Sequence, residues 1–420
     1  MTVSIANSAE WLRGEALQSL LSLLGADGEE ALIAGGAVRN ALLGQAVADI
    51  DIATTTLPQD TVKRAETAGF KAIPTGIEHG TITVIAGGRP FEVTTLRADV
   101  ETDGRHATVR FGRDWKADAA RRDFTINGLY AKADGTVIDL VGGLADLESR
   151  TLRFIGEPED RIREDYLRIL RFFRFFAWYG SGRPDAEGLK ACARLKEGLD
   201  LLSTERVWAE LKRLLSAPDP SRALLWMRQA GVLTRVLPES DKWGIDSVHP
   251  LARAEKDLGW APDPLLRLAA IVPPDAARME SMALRLKMSK ADTSRLQRWA
   301  MAGTIVPTLT ERDLAVRMYD GDAQAILDRL RLALGTARGR AVESDDAMIE
   351  AGGYARLLKF AEAWKRPDFP VSGGDLLAMG LTAGPHVGSM LTSLEQEWAE
   401  GGFALDRDAL LERATEMLKN

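Results

Sequence analysis

Hydrophobic positions change their period part-way along this chain. Up to about residue 150 they come in short runs separated by turn residues. Residues 31–34 read as a buried strand, 37–43 as a short helix and 48–53 as a second strand, followed by an amphipathic helix over 59–68. Residues 81–86 and 90–96 alternate as paired strands do, and Gly87-Gly88 between them is a hairpin signal. Asp134-Gly135 marks another turn ahead of a strand over 136–140. After Gly156 the period becomes helical, as in 165–178, 205–215, 220–230 and 264–271. A break with Pro and Gly at 365–374 precedes a last helical segment. The pattern predicts an α+β chain, with a small mixed-sheet head at 1–150. A helical neck at 151–235, a helical body at 236–365 and a helical tail at 366–420 follow.

Composition narrows the class only a little. A chain of 420 residues is long enough for two to four domains, and 45% hydrophobic with 27% charged residues is ordinary for a globular protein. The N-terminal Met1-Thr-Val-Ser-Ile-Ala has no basic region followed by an apolar run, so no signal peptide is expected. No stretch approaches the roughly 20 apolar residues that cross a membrane, so no membrane partner is expected. The single cysteine, Cys192, excludes an internal disulfide and fits a reducing cytoplasm, the expected location. Four histidines and one cysteine leave little material for structural zinc. The net charge of −7 speaks only weakly against nucleic acid, because a local basic groove binds phosphate whatever the total. No obligate protein partner is signalled.

The chemistry concentrates in four strings. Asp49 and Asp51 are two apart, so a strand would set both carboxylates on one face. Two anions that close repel each other unless a cation lies between them. Upstream, Gly35-Gly36 opens a short helix whose first amides can receive phosphate, and Arg39 one turn later can neutralise it. Together these are the apparatus of phosphoryl or nucleotidyl transfer. Glu92 is a candidate third acidic group for holding Mg²⁺, or else an edge-strand partner of Arg97. In Arg121-Arg122-Asp123-Phe-Thr-Ile-Asn127, Asp123 suits the N-cap of a helix. Asp123 and Asn127, four apart, can then face one ligand such as a ribose. Finally, Asp165, Arg168, Arg171 and Arg174 recur every three residues and form a spiral row, with Leu167, Leu170, Phe173 and Phe175 anchoring the helix. A carboxylate and a guanidinium there offer an acceptor and donors to a nucleobase edge. Arginine at every step, and lysine at none, speaks against a merely solvated face.

These strings resemble the class II tRNA nucleotidyltransferase (CCA-adding enzyme) and bacterial poly(A) polymerase family. The matching pieces are GGAVRN at 35–40, DID at 49–51, EHGTITV at 78–84, FEVTTLR at 91–97 and DGR at 103–105. RRDFTIN at 121–127, EDYLRILRFFRF at 164–175 and ERVWAELKRLL at 205–215 complete a match over roughly residues 30–230. The resemblance implies a polymerase-beta-like nucleotidyltransferase head with Mg²⁺ on Asp49 and Asp51. It implies that Gly35, Gly36 and Arg39 contact the triphosphate, and that Arg122, Asp123 and Asn127 hold ribose and phosphates. Asp165 and Arg168 would act as a protein template for CTP or ATP, with Arg171 and Arg174 in support. Asp103 and Arg105 would belong to a flexible element that reshapes the pocket between C and A addition.

Two positions depart from the family pattern: Asn40, where aspartate is usual, and Ala383, where proline is usual. An amide at 40 keeps the hydrogen bonds but not the charge. The segment 369–388 resembles a tail that grips the tRNA elbow, and the final residues lack the basic extension of poly(A) polymerases. No His-Asp dipeptide occurs, so an added phosphohydrolase activity is not expected. The implied activity is template-independent addition of CCA to tRNA from CTP and ATP, releasing pyrophosphate, with the helical body binding tRNA by phosphate and shape. Poly(A) polymerase or partial CC- or A-adding activity is the alternative, and a non-catalytic RNA-binding protein a more distant one.

Overall fold

The computed structural model describes residues 2–103 and 106–419. Its strands are β1 (Ala31–Ala34), β2 (Asp51–Thr54), β3 (Lys71–Gly76), β4 (Thr81–Ala86), β5 (Arg89–Thr95), β6 (Arg97–Asp103), β7 (His106–Phe111), β8 (Leu129–Ala131) and β9 (Val137–Asp139). Seven form one mixed sheet in the order β3-β4-β5-β2-β1-β8-β9, while β6 and β7 form a separate two-stranded ribbon. Strand β2 runs antiparallel to β1 and parallel to β5, which sets Asp51 level with Glu92. On β4 the alternation is direct: Ile82, Val84 and Ala86 are buried and the intervening residues only partly so. The expected hairpin of residues 81–86 and 90–96 is present. Four strands had no clear signal in the sequence, β6 and β7 of the separate ribbon and two of the main sheet. Lys71–Gly76 carries Pro74 and is half exposed, and Leu129–Ala131 is only three residues long.

Helices α1 (Glu15–Leu24), α2 (Gly36–Leu42), α3 (Pro58–Thr67), α4 (Trp115–Ala120) and α5 (Gly143–Glu148) accompany the sheet. Helix α1 buries Leu17, Leu20, Leu21 and Leu24, a single stripe at helical spacing. Next come α6 (Pro158–Glu164), α7 (Leu167–Tyr179), α8 (Ala186–Arg194) and α9 (Thr204–Leu215). The helix expected over residues 165–178 is present as α7, but it begins two residues later than expected. Asp165 lies in extended conformation, φ −154° and ψ 106°, between α6 and α7.

Rings fix α7 against the sheet-bearing part. Phe124 lies 4.9 Å from Phe154 and 5.4 Å from Phe175, centroid to centroid, and Phe154 stacks on Phe172 at 5.4 Å. All four are buried. The string at 121–127 and the arginine-bearing helix therefore share one aromatic core.

The chain divides into two units, residues 1–217 with 222–238 and residues 218–221 with 239–420. The second unit is helical. One of its cores gathers Leu314, Met318, Leu330 and Leu357, and another gathers Leu376, Leu394, Trp398 and Leu410. Among the described residues no helix is long and apolar enough to cross a membrane.

Phe172→Ala removes the ring at the centre of the shared core. It is expected to destabilise the first unit by about 3–5 kcal/mol. Urea unfolding measures this, and a loss below about 1 kcal/mol would show that the rings do not fix α7.

Candidate active site

A cleft of about 500 Å³ opens in the first unit, lined by Gly35, Gly36, Arg39, Asp51, Arg122, Asp123, Asn127, Asp165, Arg168 and Arg171. Leu167, Phe175 and Arg206 complete the lining. Residues from five separate strings of the sequence thus meet in one space. Of the other expected residues, Asp49, Glu92 and Arg174 are outside the lining. Asp103 ends β6, and Arg105 lies outside the described residues.

Gly35 makes the turn from β1 into α2 with φ +63°. A Cβ there would also come within 3.2 Å of Arg122 Nη1. The backbone angle is what calls for glycine, and the approach of Arg122 adds a tight contact. Its N–H donates to Leu129 O at 2.8 Å, so that amide closes the sheet and is not offered to a phosphate.

Asp51 begins β2, whereas Asp49 precedes the strand. The expected strand over both aspartates is therefore shorter than its sequence pattern suggested, and only Asp51 is held by sheet hydrogen bonds. Its in-register neighbour on β5 is Glu92, and neighbours level with each other point to the same side. The Asp51 carboxyl is raised above its ordinary range, first by partial burial, then by Glu92, and further by Asp49, with Arg122 opposing. Carboxylates crowded like this suit a divalent cation. Among the described residues no group of three or more His, Cys, Asp or Glu side chains is arranged to hold a metal. A cation there would need two carboxylates plus oxygens from a substrate, which is how Mg²⁺ is commonly bound beside phosphates.

The 121–127 string does not start an α-helix. It makes a 3-10 turn over Thr125–Asn127 with Phe124 in the capping position, so Asp123 is freed for other bonds. Asp123 Oδ2 accepts from Arg171 Nε at 2.8 Å and Nη2 at 2.5 Å. Its Oδ1 accepts from Phe124 N and from Asn127 Nδ2, both at 2.9 Å. Burial alone would raise this carboxyl. The Arg171 charge and the bonds from Asn127 and Arg171 outweigh burial and hold it below the usual carboxylate range. Arg122 is held from behind. Its Nη2 lies 3.2 Å from Asp118 Oδ2, which also accepts from the buried Tyr130 hydroxyl at 2.6 Å.

Asp165 works from the joint before α7. Its Oδ1 accepts from Leu167 N at 3.1 Å and its Oδ2 from Arg206 Nη2 at 2.7 Å. Arg168 Nη1 donates to Glu164 Oε2 at 2.5 Å and to Arg161 O at 2.7 Å. Arg174 turns away to Glu210 on α9, with Nε to Oε2 at 2.5 Å. Helical geometry explains that correction. A step of three residues falls about 60° short of a full turn, so Arg174 is about 120° round from Arg168.

Residues 31–153 match the family model of the poly A polymerase head domain, and residues 183–243 match one described as the probable RNA and SrmB-binding site of polymerase A. The mouse protein named CCA tRNA nucleotidyltransferase 1, mitochondrial, is 35% identical over 412 residues, covering 94% of this chain and 89% of its own. The CCA-adding enzyme of Streptococcus gordonii is 32% identical, with 93% and 94% covered. This chain belongs to the CCA-adding enzyme family. Among solved structures, the Bacillus stearothermophilus CCA-adding enzyme in complex with CTP superposes with a TM-score of 0.74 at 26% identity, over 96% of this chain and 98% of that one.

Membership gives context to the residues that sequence reasoning missed. Arg206, on α9, lines the cleft and holds Asp165; it lies in the ERVWAELKRLL string, but its partner is 41 positions away. Tyr179 closes α7 and meets Arg39, 140 positions earlier. Asp118 had no motif to mark it. Asn40, the departure from the family pattern, accepts at Oδ1 from Arg39 Nε (3.1 Å) and Nη2 (3.0 Å) while its Nδ2 donates to Ala46 O at 3.0 Å. An aspartate could do the first but not the second.

Asp123→Asn separates these roles from simple packing. A carboxyl held low in the folded state adds stability above its unfolded pKa of about 3.9 and loses it as pH falls through the folded value. The wild-type protein is therefore expected to lose stability below about pH 4, and the variant to follow a flatter acid profile. At neutral pH the variant should be about 1–3 kcal/mol less stable. Identical profiles in thermal unfolding from pH 7 to 3 would show that the Arg171 contact contributes nothing.

Proposed function

We propose that this chain adds CCA to the 3′ end of tRNA, using CTP and ATP and no nucleic-acid template. One observation carries the reading: a single cleft gathers the strand carboxylate Asp51, the arginines Arg39 and Arg122, Asp165 from the joint before α7 and Arg168 from that helix, in a member of the CCA-adding family. A relative named for tRNA and a similar structure holding CTP support the choice of substrates.

Each side chain then has a role. Arg39 and Arg122 take the triphosphate, and Asp123 and Asn127 fix the ribose end by way of their mutual bond. Asp165 and Arg168 present acceptor and donors to the base, with Arg206 and Glu164 setting their directions. The 3′ hydroxyl oxygen of the RNA bonds to the α-phosphorus as the bond from that phosphorus to the bridging oxygen breaks. Pyrophosphate leaves with those electrons, and the hydroxyl proton passes to solvent or a carboxylate. When bound by Asp49 and Asp51 with substrate oxygens, a divalent cation supplies neutralisation of the charge that develops on phosphate. Mg²⁺ is the proposed ion, because the donors are all hard oxygens. Glu92 raises the negative field at Asp51 and so favours the cation. Buried Cys192 fits a reducing compartment, and the cytoplasm is proposed.

The second reading, poly(A) addition, has its own support in the head-domain family match. The purified chain with Mg²⁺, CTP, ATP and tRNA ending at the discriminator base decides between them. Growth by three nucleotides and arrest is expected; unlimited tailing with ATP alone would establish the poly(A) reading. Asp49→Ala and Asp51→Ala should each lower kcat by about 100-fold or more, the equivalent of several kcal/mol of charge stabilisation. Full activity in both would remove the metal assignment. Arg168→Ala should blur the choice among nucleotides while leaving the Mg²⁺ dependence unchanged.

A further inference from the structure

Five arginines line the cleft, and four of them hold carboxylates. Arg122 is paired with Asp118, Arg168 with Glu164, Arg171 with Asp123 and Arg206 with Asp165. Among the described residues, Arg39 has only neutral partners. Its Nη1 donates to Asn127 Oδ1, its Nε and Nη2 to Asn40 Oδ1, and Nη2 also to the Tyr179 hydroxyl at 2.8 Å. The guanidinium carbon lies 4.0 Å from the centroid of the Tyr179 ring. Arg39 is 6% exposed. These bonds occupy four of the five N–H donors an arginine carries and leave one on Nη1.

A buried cation without an anion is costly unless dipoles and ring faces replace its hydration. Tyr179 supplies both: a ring face, and a hydroxyl that accepts from Arg39 and donates to Asn40 Oδ1 at 3.3 Å. Neither contact cancels the charge. The carboxylate-paired arginines must share an incoming anion with a hydrogen-bonded partner, whereas Arg39 feels a carboxylate only through the field of Asp123 and bonds to none. Tyr179 also sits on α7, about three turns beyond Arg168 on the same rigid element.

We propose that Tyr179 is a positioning residue for nucleotidyl transfer: it holds Arg39 as the uncompensated cation that receives the polyphosphate end of the nucleotide. Carried on the helix that presents Arg168 and Arg171, it also keeps that cation in register with the base-reading end. This inference rests on the nucleotide-binding reading above.

Calorimetric titration of the full chain with inorganic pyrophosphate and with CTP, both in Mg²⁺, tests it. Tyr179→Ala should weaken both ligands by about tenfold, the size of a desolvated cation–π contact with its hydrogen bond. Tyr179→Phe keeps the ring and should recover most of this, leaving a loss of about two- to threefold and an unchanged melting temperature. In the assay, Tyr179→Phe should raise KM for CTP and ATP in the same proportion with little change in kcat. A purely structural role would instead lower kcat with the active fraction and leave KM alone. Wild-type affinity for pyrophosphate in both variants would overturn the assignment of Tyr179. If the wild-type chain itself binds neither ligand, it is the nucleotide-binding reading that fails.

Discussion

The contact between Asp123 and Arg171 is the one on which the rest of the cleft depends. It joins a 3-10 turn beside the sheet to a helix that follows it in the chain by more than forty residues, and it does so where Asp123 is buried and Arg171 partly so. A charge in that setting has to be matched, and each partner supplies what the other needs. Because Asp123 spends its second oxygen on Phe124 N and Asn127, the turn and the helix have one relative placement. The ring cluster of Phe124, Phe154, Phe172 and Phe175 reinforces that placement with contacts that carry no charge. Arg39, through Asn127 and Tyr179, takes its position from the same framework.

Much of this was readable before any coordinates. The alternation in residues 81–96, the stripe of leucines in α1 and the glycine turn before α2 all report local physics that a sequence displays directly. The strings around Asp51, Asp123 and Arg168 also converge in space as their chemistry suggested. The errors have physical causes too. Apolar residues stand on both sides of the joint, at Ile162 and again at Leu167 and Leu170, and only the five-residue step between the first two marks the change of direction at Asp165. The three-residue spacing of arginines forms a spiral row, and what the sequence did not show is that its drift delivers Arg174 to Glu210. Partners such as Arg206, Tyr179 and Asp118 lie tens of residues from the groups they hold or belong to no striking pattern. Their identity is a property of the tertiary fold alone.

Charge in the cleft is arranged unevenly. The arginines of the neck and the 121–127 string come with their own carboxylates, whereas Asp51 and Glu92 on neighbouring strands repel one another and Arg39 stands among amides and rings. The negative excess at Asp51 and the positive one at Arg39 therefore sit beside the balanced pairs, next to Arg122 and Asp123 respectively. A polyanion with an associated cation relieves both excesses at once, which neither a free base nor a bare metal could do. Asn40 belongs to this arrangement: a neutral acceptor beside Arg39 keeps the positive excess where a carboxylate would diminish it.

The pairs made by Asp165 and Arg168 have a further consequence. Neither group waits with empty valences, because Arg206 and Glu164 already engage them. On the proposed reading, an arriving base enters by exchange and takes over bonds that the protein had made with itself. The number of bonds stays nearly constant for a base with the right donors and acceptors. A wrong base evicts a partner and leaves a group stranded, at a penalty of about 1–3 kcal/mol for each. Discrimination then resides less in attraction to the right base than in what the wrong one fails to replace, and the helix serves as a comparator that weighs each newcomer against its own side chains.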